Sequence, residues 1–182
     1  MTTYISILRG INVSGQKQIK MDALRKSFES LGFSNVETYI QSGNVIFSSK
    51  NAKTEELSRI ISQKVEEDFG FKVPVIVITS DKLKKIIDTN PFLGNEDKGH
   101  SFLHVTFLSS KPGNYDSKTI EDKKQAGEKI VYTDNAIYLY CPNGYGKTKL
   151  TNNYLEKTLK VTATTRNWKT VNELLKIARQ TT

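Results

Sequence analysis

Cysteine and histidine are scarce in this chain, and no long hydrophobic run is present. Its 182 residues include one cysteine, Cys141. A single cysteine excludes an internal disulfide and favours a reducing compartment. No run of about 18 apolar residues occurs, so the sequence predicts no transmembrane helix. The segment MTTYISILRG lacks a basic region followed by a long apolar one, so no secretory signal is expected. We therefore expect a cytoplasmic protein.

The same scarcity limits the chemistry that can be assigned. The two histidines, His100 and His104, have no cysteine partner and only scattered acidic neighbours, so no metal site is expected. No Ser-His-Asp arrangement is visible, and Cys141 has no base beside it in the sequence. The sequence predicts no metal and no cofactor. Whether the protein is an enzyme stays open, because arginine, lysine and asparagine around a phosphate can support catalysis by positioning and charge.

Basic residues, in contrast, are in excess. The chain has 27 Lys and Arg against 19 Asp and Glu, a formal net charge of +8, and a pI near 9.4. This balance favours anionic partners such as nucleic acid or phosphorylated metabolites. The lysines of KLKKII and DKKQ could equally solvate helix faces. No block of five or six like charges occurs, so no nucleic-acid-binding arm is predicted.

Hydrophobic periodicity predicts the order β-α-β-β-α-β in the first 79 residues. Strands are predicted at 3–8, 36–40, 45–49 and 73–79, and helices from residue 21 and over 54–69. This is the split βαβ, or ferredoxin-like, order. The remainder repeats it less completely, with a strand at 102–108, a helix near 116–126, a strand pair in EKIVYT and AIYLYC, and helices near 150–159 and 168–180. We therefore predict an α+β fold of two ferredoxin-like subdomains, 1–79 and an incomplete one over 80–182 with an additional C-terminal helix.

Two polar segments are predicted to meet at one end of the first sheet. RGIN (9–12) follows the first strand, and QSGN (41–44) joins the second and third. In a split βαβ unit the third strand lies between the first two, which run parallel about 10 Å apart, so both segments emerge at the same end. The first helix begins there and adds unpaired N–H groups. We predict an anion-binding rim of Arg9, Gly10, Asn12, Gln41, Ser42, Gly43 and Asn44, with Lys17 and Lys20 nearby.

Each residue of this rim also has a structural interpretation. Gly10 and Gly43 would supply positive φ in tight turns. Asn44 would tolerate a left-handed turn position, Gln41 would end a strand, and Arg9 would pair with a buried carboxylate. We favour a functional role for the cluster as a whole, because polar residues on loops of a rigid sheet often bind ligands.

The second half of the chain contains further basic candidates. Arg166 precedes the predicted last helix, where a cation is unfavourable unless an anion lies between the two. Thr170 to Glu173 fits a capping box, with Asn167 as an alternative cap. Lys147 lies in CPNGYGKTKL, which lacks the first glycine of a P-loop but leaves a lysine that can contact phosphate. The predicted topology places Lys147 and Arg166 at opposite ends of their subdomain.

Four segments together resemble a known family. They are LRGINV, YIQSGNVIF, PNGYGKTKL and ATTRNWKTVNELL. They resemble the bacterial domain-of-unknown-function family numbered 1697 along essentially the whole chain. The resemblance implies a two-subdomain α+β protein of the bacterial cytosol whose biochemical role is not established. Position by position, it highlights Arg9, Gly10, Asn12, Gln41, Ser42, Gly43, Asn44, Gly144, Lys147, Arg166 and Asn167. Thr148 is a mild departure, since members often carry serine there.

Three classes of function stay open at this point. The first is binding of a small anionic, phosphate-bearing ligand at RGIN and QSGN, with or without turnover, with Arg9 as the main charge and Arg166 as a candidate opposing clamp. The second is a single-stranded nucleic-acid-binding module, for which exposed tyrosines would have to stack on bases. The candidates are Tyr138 and Tyr140 on one face of their strand, and Tyr4 and Tyr39 on other strands. However, GNVIFSS lacks the two ordered aromatics of the RNA-recognition signature. The third is a protein-interaction module, and no oligomeric state is predicted.

Overall fold

A computed structural model describes residues 1–94 and 99–181 as a mixed α+β protein. The strands are β1 Thr2–Leu8, β2 Ser34–Tyr39, β3 Asn44–Ser49, β4 Val75–Thr79, β5 Leu103–Leu108, β6 Lys129–Tyr132, β7 Ala136–Tyr140 and β8 Ala163–Asn167. The helices are α1 Met21–Ser30, α2 Thr54–Phe69, α3 Ser80–Asp88, α4 Ser117–Glu121, α5 Asn152–Leu159 and α6 Trp168–Gln180. Short 3₁₀ turns cover His100–Phe102 and Tyr145–Lys147. The predicted α+β class is confirmed.

The strands form two four-stranded antiparallel sheets with the same order of elements. The first sheet is ordered β2-β3-β1-β4 and the second β6-β7-β5-β8. Every pairing within them is antiparallel. In each sheet the last strand continues directly into a helix, α3 after β4 and α6 after β8. The described chain therefore contains the same succession of strands and helices twice.

The chain divides into two compact units with separate cores. One unit comprises residues 1–84 and 173–182, and the other comprises residues 85–172. In the first unit, Phe47 of β3 stacks on Tyr4 and meets the edge of Phe28 from α1. In the second unit, the core includes Leu139 of β7 and Leu155 of α5. Each unit thus buries one face of its own sheet beneath its own helices.

Helix α2 follows from its sequence in a direct way. The periodicity predicts a buried stripe of Leu57, Ile61, Val65 and Phe69, spaced four residues apart. The first three are buried, and Phe69 is half-buried against the core. The helix ends at Gly70, whose φ of +79° is the left-handed conformation that closes a helix without a Cβ clash. The buried face of α2 packs against β4 on one face of the first sheet.

Strand β8 was not predicted, and it corrects the expectation of an incomplete second half. It pairs with β5, placing Thr165 opposite Thr106 with their hydroxyl oxygens 2.7 Å apart. The Thr165 hydroxyl also donates to Asn152 Oδ1 of α5 at 2.7 Å. The segment carries little hydrophobic pattern, because threonine occupies its buried positions. The hydroxyl groups of Thr106 and Thr165 satisfy each other's hydrogen bonding within the sheet. With β8, the second sheet has four strands like the first.

Candidate functional site

The β1–α1 loop (9–20) and the β2–β3 turn (40–43) lie in contact at one end of the first sheet. The Asn12 amide Nδ2 donates to the carbonyl oxygens of Gln41 and Ile19, both at 2.9 Å. Its Oδ1 accepts the Ile19 backbone N–H at 2.8 Å. The Leu8 N–H also donates to the Gly43 carbonyl at 2.8 Å. RGIN and QSGN are therefore neighbours, and the Asn12 side chain connects them.

Gly43 and Asn44 serve the turn itself. Gly43 is buried with a φ of +80°, and a Cβ there would lie 2.8 Å from both Leu8 Cβ and Ile11 Cδ1. Asn44 is fully buried, and its Nδ2 donates to the Tyr39 carbonyl at 3.1 Å and to Ser42 Oγ at 2.9 Å. Gly43 has the positive φ that was expected of it, whereas the left-handed position expected for Asn44 is wrong, because Asn44 begins strand β3. Both residues have a structural role, and the loop that they support is still a candidate site.

The backbone of these two segments is unusually rich in left-handed residues. In the β1–α1 loop, Gly10, Asn12, Ser14, Gly15 and Lys17 all have φ between 47° and 75°. In the β2–β3 turn, Ile40 has a φ of +50° and an exposed side chain. A β-branched residue rarely adopts this conformation, since its Cβ crowds the backbone. Such strain is retained where the surrounding structure enforces it, often at functional sites.

A groove of about 700 Å³ opens beside these loops at the N-terminus of α1, and we call it the first-unit groove. It is lined by Asn12, Gly15, Gln18, Ile19, Lys20, Met21, Asp22 and Gln41. Lys20 is the N-cap residue, and within the described residues no side chain caps this helix end. Two members of the predicted rim, Asn12 and Gln41, line the groove, as does the nearby Lys20. Gln18 and Asp22 were missed, although they flank the predicted helix start and that signal could have identified them.

The other cations of this end have different surroundings. Arg9 is half-buried, and its backbone N–H donates to the Pro74 carbonyl at 2.9 Å. The Lys17 ammonium donates to the Lys72 carbonyl at 2.9 Å and lies 6.0 Å from the centre of the Phe71 ring. Lys20 is therefore the lysine of this end that lines the groove.

In the second unit, the segment after β7 and the end of β8 lie at the same end of the sheet. Both strands run antiparallel to β5, so both terminate beside its first residues. The Tyr145 ring stacks on His104 of β5 with centroids 4.8 Å apart. Burial lowers the pKa of the Arg166 guanidinium to about 10, and nearby Tyr145 opposes that shift. The predicted placement of the Lys147 segment and Arg166 at opposite ends is wrong, because β8 was missing from the predicted topology.

Arg166 and Asn167 end strand β8 and begin α6. Arg166 Nη1 donates to Thr164 Oγ1 and to the Thr165 carbonyl, both at 3.0 Å. Asn167 Oδ1 accepts the Thr170 backbone N–H at 2.8 Å, so Asn167 caps α6. The capping box starting at Thr170 is therefore wrong, and the alternative cap is correct. Lys147 is exposed in the 3₁₀ turn that follows Gly144.

A second groove, of about 690 Å³, lies at this end of the second unit, and we call it the second-unit groove. It is lined by His100, Ser101, His104, Asn167, Trp168, Lys169 and Asn172. Of the predicted site residues, Asn167 belongs to it. The others were missed because the groove depends on β8, which brings the start of α6 beside His104.

Two of the tyrosines considered for base stacking are buried. The Tyr4 hydroxyl donates to the Ala52 carbonyl at 3.1 Å, and the Tyr138 hydroxyl donates to the Ile86 carbonyl at 2.8 Å. Neither ring is open to a base in this structure.

Among the residues described, no group of three or more His, Cys, Asp or Glu is placed to hold a metal ion. Nor does any helix within residues 1–94 and 99–181 have the length and apolar character needed to cross a bilayer.

These features define an α+β protein with two four-stranded antiparallel sheets and a groove in each unit. The chain belongs to the family described as "Protein of unknown function (DUF1697)", whose sequence model matches residues 1–138. The match ends before Gly144, Lys147, Arg166 and Asn167, so it does not extend to these four candidates.

Among solved structures, a bacterial protein is similar along nearly the whole chain. It is the conserved bacterial protein SP0830 from Streptococcus pneumoniae, with a TM-score of 0.68 and 24% sequence identity. The alignment covers 97% of this chain and 98% of that one. At this identity the similarity shows the fold alone. A search of curated proteins gave no match.

Proposed function

We propose that the protein binds a small anionic, phosphate-bearing ligand in the first-unit groove, with or without turnover. One observation carries this proposal: the groove lies at the N-terminus of a ten-residue helix whose first turn, within the described residues, has no side-chain cap. The first N–H groups of a helix lack intrahelical partners and carry a partial positive charge. A phosphate oxygen is a suitable acceptor for them.

Some side chains around the groove favour binding of an anion, and one of them weakens it. Lys20 contributes a full positive charge, and Gln18 and Gln41 contribute amide donors. Asp22 opposes them, because its exposed carboxylate lies in the first turn. Arg25 lies 3.6 Å from that carboxylate and offsets part of its charge. We therefore expect replacement of Asp22 by Asn to strengthen phosphate binding. We also retain the proposal that Arg9 supplies the main positive charge for the ligand and that Arg166 acts as an opposing clamp.

We extend the proposal to the fold class and the cellular location. The strand order and the two helices between the strands support assigning each unit to the ferredoxin-like, split βαβ class. A single buried cysteine supports a reducing bacterial cytoplasm. A subdomain boundary near residue 80 is also a proposal, and the compact units divide after residues 84 and 172.

A thermal-shift titration tests ligand binding. Wild type, Lys20→Ala and Lys26→Ala would be heated with inorganic phosphate, sugar phosphates, nucleotides, and short RNA and DNA. Lys26 is the matched control, because it is exposed on α1 and does not line the groove. A ligand at 100 times its Kd adds about 2.7 kcal/mol of stability, which is a shift of a few degrees for a chain of this size. We expect a small phosphorylated compound to stabilise wild type and Lys26→Ala, and to lose its effect in Lys20→Ala.

Two outcomes would contradict the proposal. Equal stabilisation of all three proteins would place the ligand outside this groove. Stabilisation by oligonucleotides alone, with a steep loss of binding as salt rises, would favour the nucleic-acid-binding module, since a polynucleotide releases many counterions and a single phosphate few.

A further inference from the structure

The second-unit groove is lined by the single tryptophan of the chain and by both of its histidines. Trp168 begins α6, and His104 lies on β5 in register with Asn167. The volume of about 690 Å³ is within the range of small-molecule sites. Its wall combines aromatic rings with amide, ammonium and hydroxyl groups from Asn172, Lys169 and Ser101. A cavity of this composition suits an organic molecule better than a bare ion.

His104 offers a hydrogen-bond acceptor to this groove. The residue is 8% exposed, and its Nδ1 lies 3.2 Å from the Phe102 carbonyl oxygen. A carbonyl can only accept, so Nδ1 carries the proton when the ring is neutral and Nε2 keeps its lone pair. Tyr145 covers one face of the ring. Within residues 1–94 and 99–181, Nε2 has no hydrogen-bond partner, and it is the polar atom of His104 that remains for a ligand.

The neutral form of His104 is favoured by its surroundings. Burial lowers the pKa of its imidazole below the ordinary value, and the hydrogen bond to Phe102 opposes this only in part. At neutral pH the ring therefore presents an acceptor and not a second donor. A ligand group facing Nε2 must donate a proton, as a hydroxyl or an N–H group does.

The rest of the groove favours negative charge. Lys169 is exposed at the first turn of α6, a helix of 13 residues whose N-terminus lies in the groove. Asn167 caps one N–H of this turn through its Oδ1, which leaves its Nδ2 as a donor. The Lys169 ammonium, the N-terminus of α6 and the Asn167 amide all favour an anionic group at this end of the groove.

We propose that the second-unit groove binds a small hydroxylated organic anion, with a hydroxyl group donating to Nε2 of His104 and a carboxylate or phosphate beside Lys169 at the first turn of α6. This site is separate from the first-unit groove and does not depend on the function proposed above. The two-point recognition makes a clear distinction among ligands, because neither the hydroxyl nor the anion alone satisfies both ends.

Tryptophan fluorescence measures occupancy directly, since Trp168 is the single tryptophan and lines the groove. Four probes without near-ultraviolet absorption separate the two requirements. Ribose 5-phosphate carries hydroxyls and a phosphate, and gluconate carries hydroxyls and a carboxylate. Ribose lacks the anion, and methyl phosphate lacks the hydroxyl. We expect a saturable signal from one or both of the first two, and binding at least tenfold weaker from the last two.

Variants test the two contacts. Lys169→Ala removes an exposed charge and should weaken binding by about tenfold, whereas Lys129→Ala, an exposed lysine of β6 outside the groove, should bind as wild type. His104→Phe keeps a ring against Tyr145 but removes the acceptor, so it should lose the preference for hydroxylated anions. His104→Gln restores an acceptor oxygen at the reach of Nε2 and should recover much of it.

Each remaining outcome would overturn the proposal. No saturable change with any probe up to about 10 mM, which corresponds to negligible affinity, would exclude the site. Methyl phosphate binding as tightly as ribose 5-phosphate would remove the role of His104. Unchanged binding in Lys169→Ala would remove the anion contact. Lys20→Ala serves as a further control, because it should leave this signal unchanged even if it abolishes phosphate binding to the first-unit groove.

Discussion

At the scale of single residues, one asparagine and one glycine fix the meeting point of the β1–α1 loop and the β2–β3 turn. The Asn12 side chain makes two hydrogen bonds to Ile19 within its own loop and one across the junction to the Gln41 carbonyl. Gly43 lies where the turn passes so close to Leu8 and Ile11 that no Cβ fits. These contacts explain why polar and glycine residues are concentrated here even before a ligand is considered.

Replacing Gly43 by Ala should destabilise the protein by about 2–3 kcal/mol. The added Cβ would meet Leu8 Cβ and Ile11 Cδ1 at 2.8 Å, and the positive φ adds its own cost. Gly10→Ala is the matched control, because Gly10 has a similar φ of +73° but open space around it. We expect a loss of only about 1 kcal/mol there. Urea unfolding of both variants measures the difference, and equal losses would show that the close approach is not a constraint.

His104 should make folding stability depend on pH in a narrow window. Its pKa is lowered by burial, so below the ordinary value of 6.5 the unfolded chain binds a proton that the folded chain resists. Stability is therefore complete above pH 6.5 and falls as the pH decreases toward the folded-state pKa. Unfolding free energies measured from pH 7.5 to 5.5 should show a smaller decrease in His104→Gln than in wild type. An equal decrease in His104→Gln and in wild type would show that the buried imidazole is not the source of this pH dependence.

At the scale of elements, long segments with apolar periodicity were predicted well and β8 was not. Helix α2 buries the residues that its spacing indicated, because a stripe repeating every three to four residues has few alternatives. Residues 163–167 read ATTRN, and their strand character comes from pairing with β5 and from the Thr106–Thr165 contact. Such long-range partners are invisible in a local pattern.

The same difference explains what was predicted of the candidate sites. The contact between RGIN and QSGN followed from strand order alone. The second-unit groove could not be predicted, since His104 and Asn167 become neighbours only when β8 joins the sheet. Lining residues such as Gln18 also depend on loop conformation, which composition does not determine.

The cap of α6 provides a test at this scale. Asn167→Ala should lower the unfolding free energy by about 1 kcal/mol, because the Thr170 N–H loses its acceptor. Asn167→Asp keeps an acceptor oxygen and places negative charge at the helix N-terminus, so it should match wild type or exceed it. Thermal unfolding of the two variants compares these effects. Equal destabilisation of Asn167→Ala and Asn167→Asp would show that the acceptor oxygen of this cap does not contribute to the unfolding free energy.

At the scale of the whole molecule, two cores are joined by continuous helices. The divisions after residues 84 and 172 fall within α3 and α6, and neither helix is interrupted there. Unfolding of either unit would therefore unwind part of a helix whose remaining turns belong to the other unit. We infer that the two units unfold together, although each has its own sheet and its own hydrophobic cluster.

Cys141 makes this inference measurable. The thiol is buried beneath the second sheet, and burial together with the Glu128 carboxylate raises its pKa to about 11. Both effects protect it from alkylation, because the thiolate is the reactive form and the folded protein excludes the reagent. Iodoacetamide labelling across a urea series at pH 8 should therefore follow the same transition as far-UV circular dichroism and Trp168 fluorescence. Labelling at urea concentrations well below the circular dichroism midpoint would mean that the second unit opens on its own. Coincident curves would instead support joint unfolding of the two units.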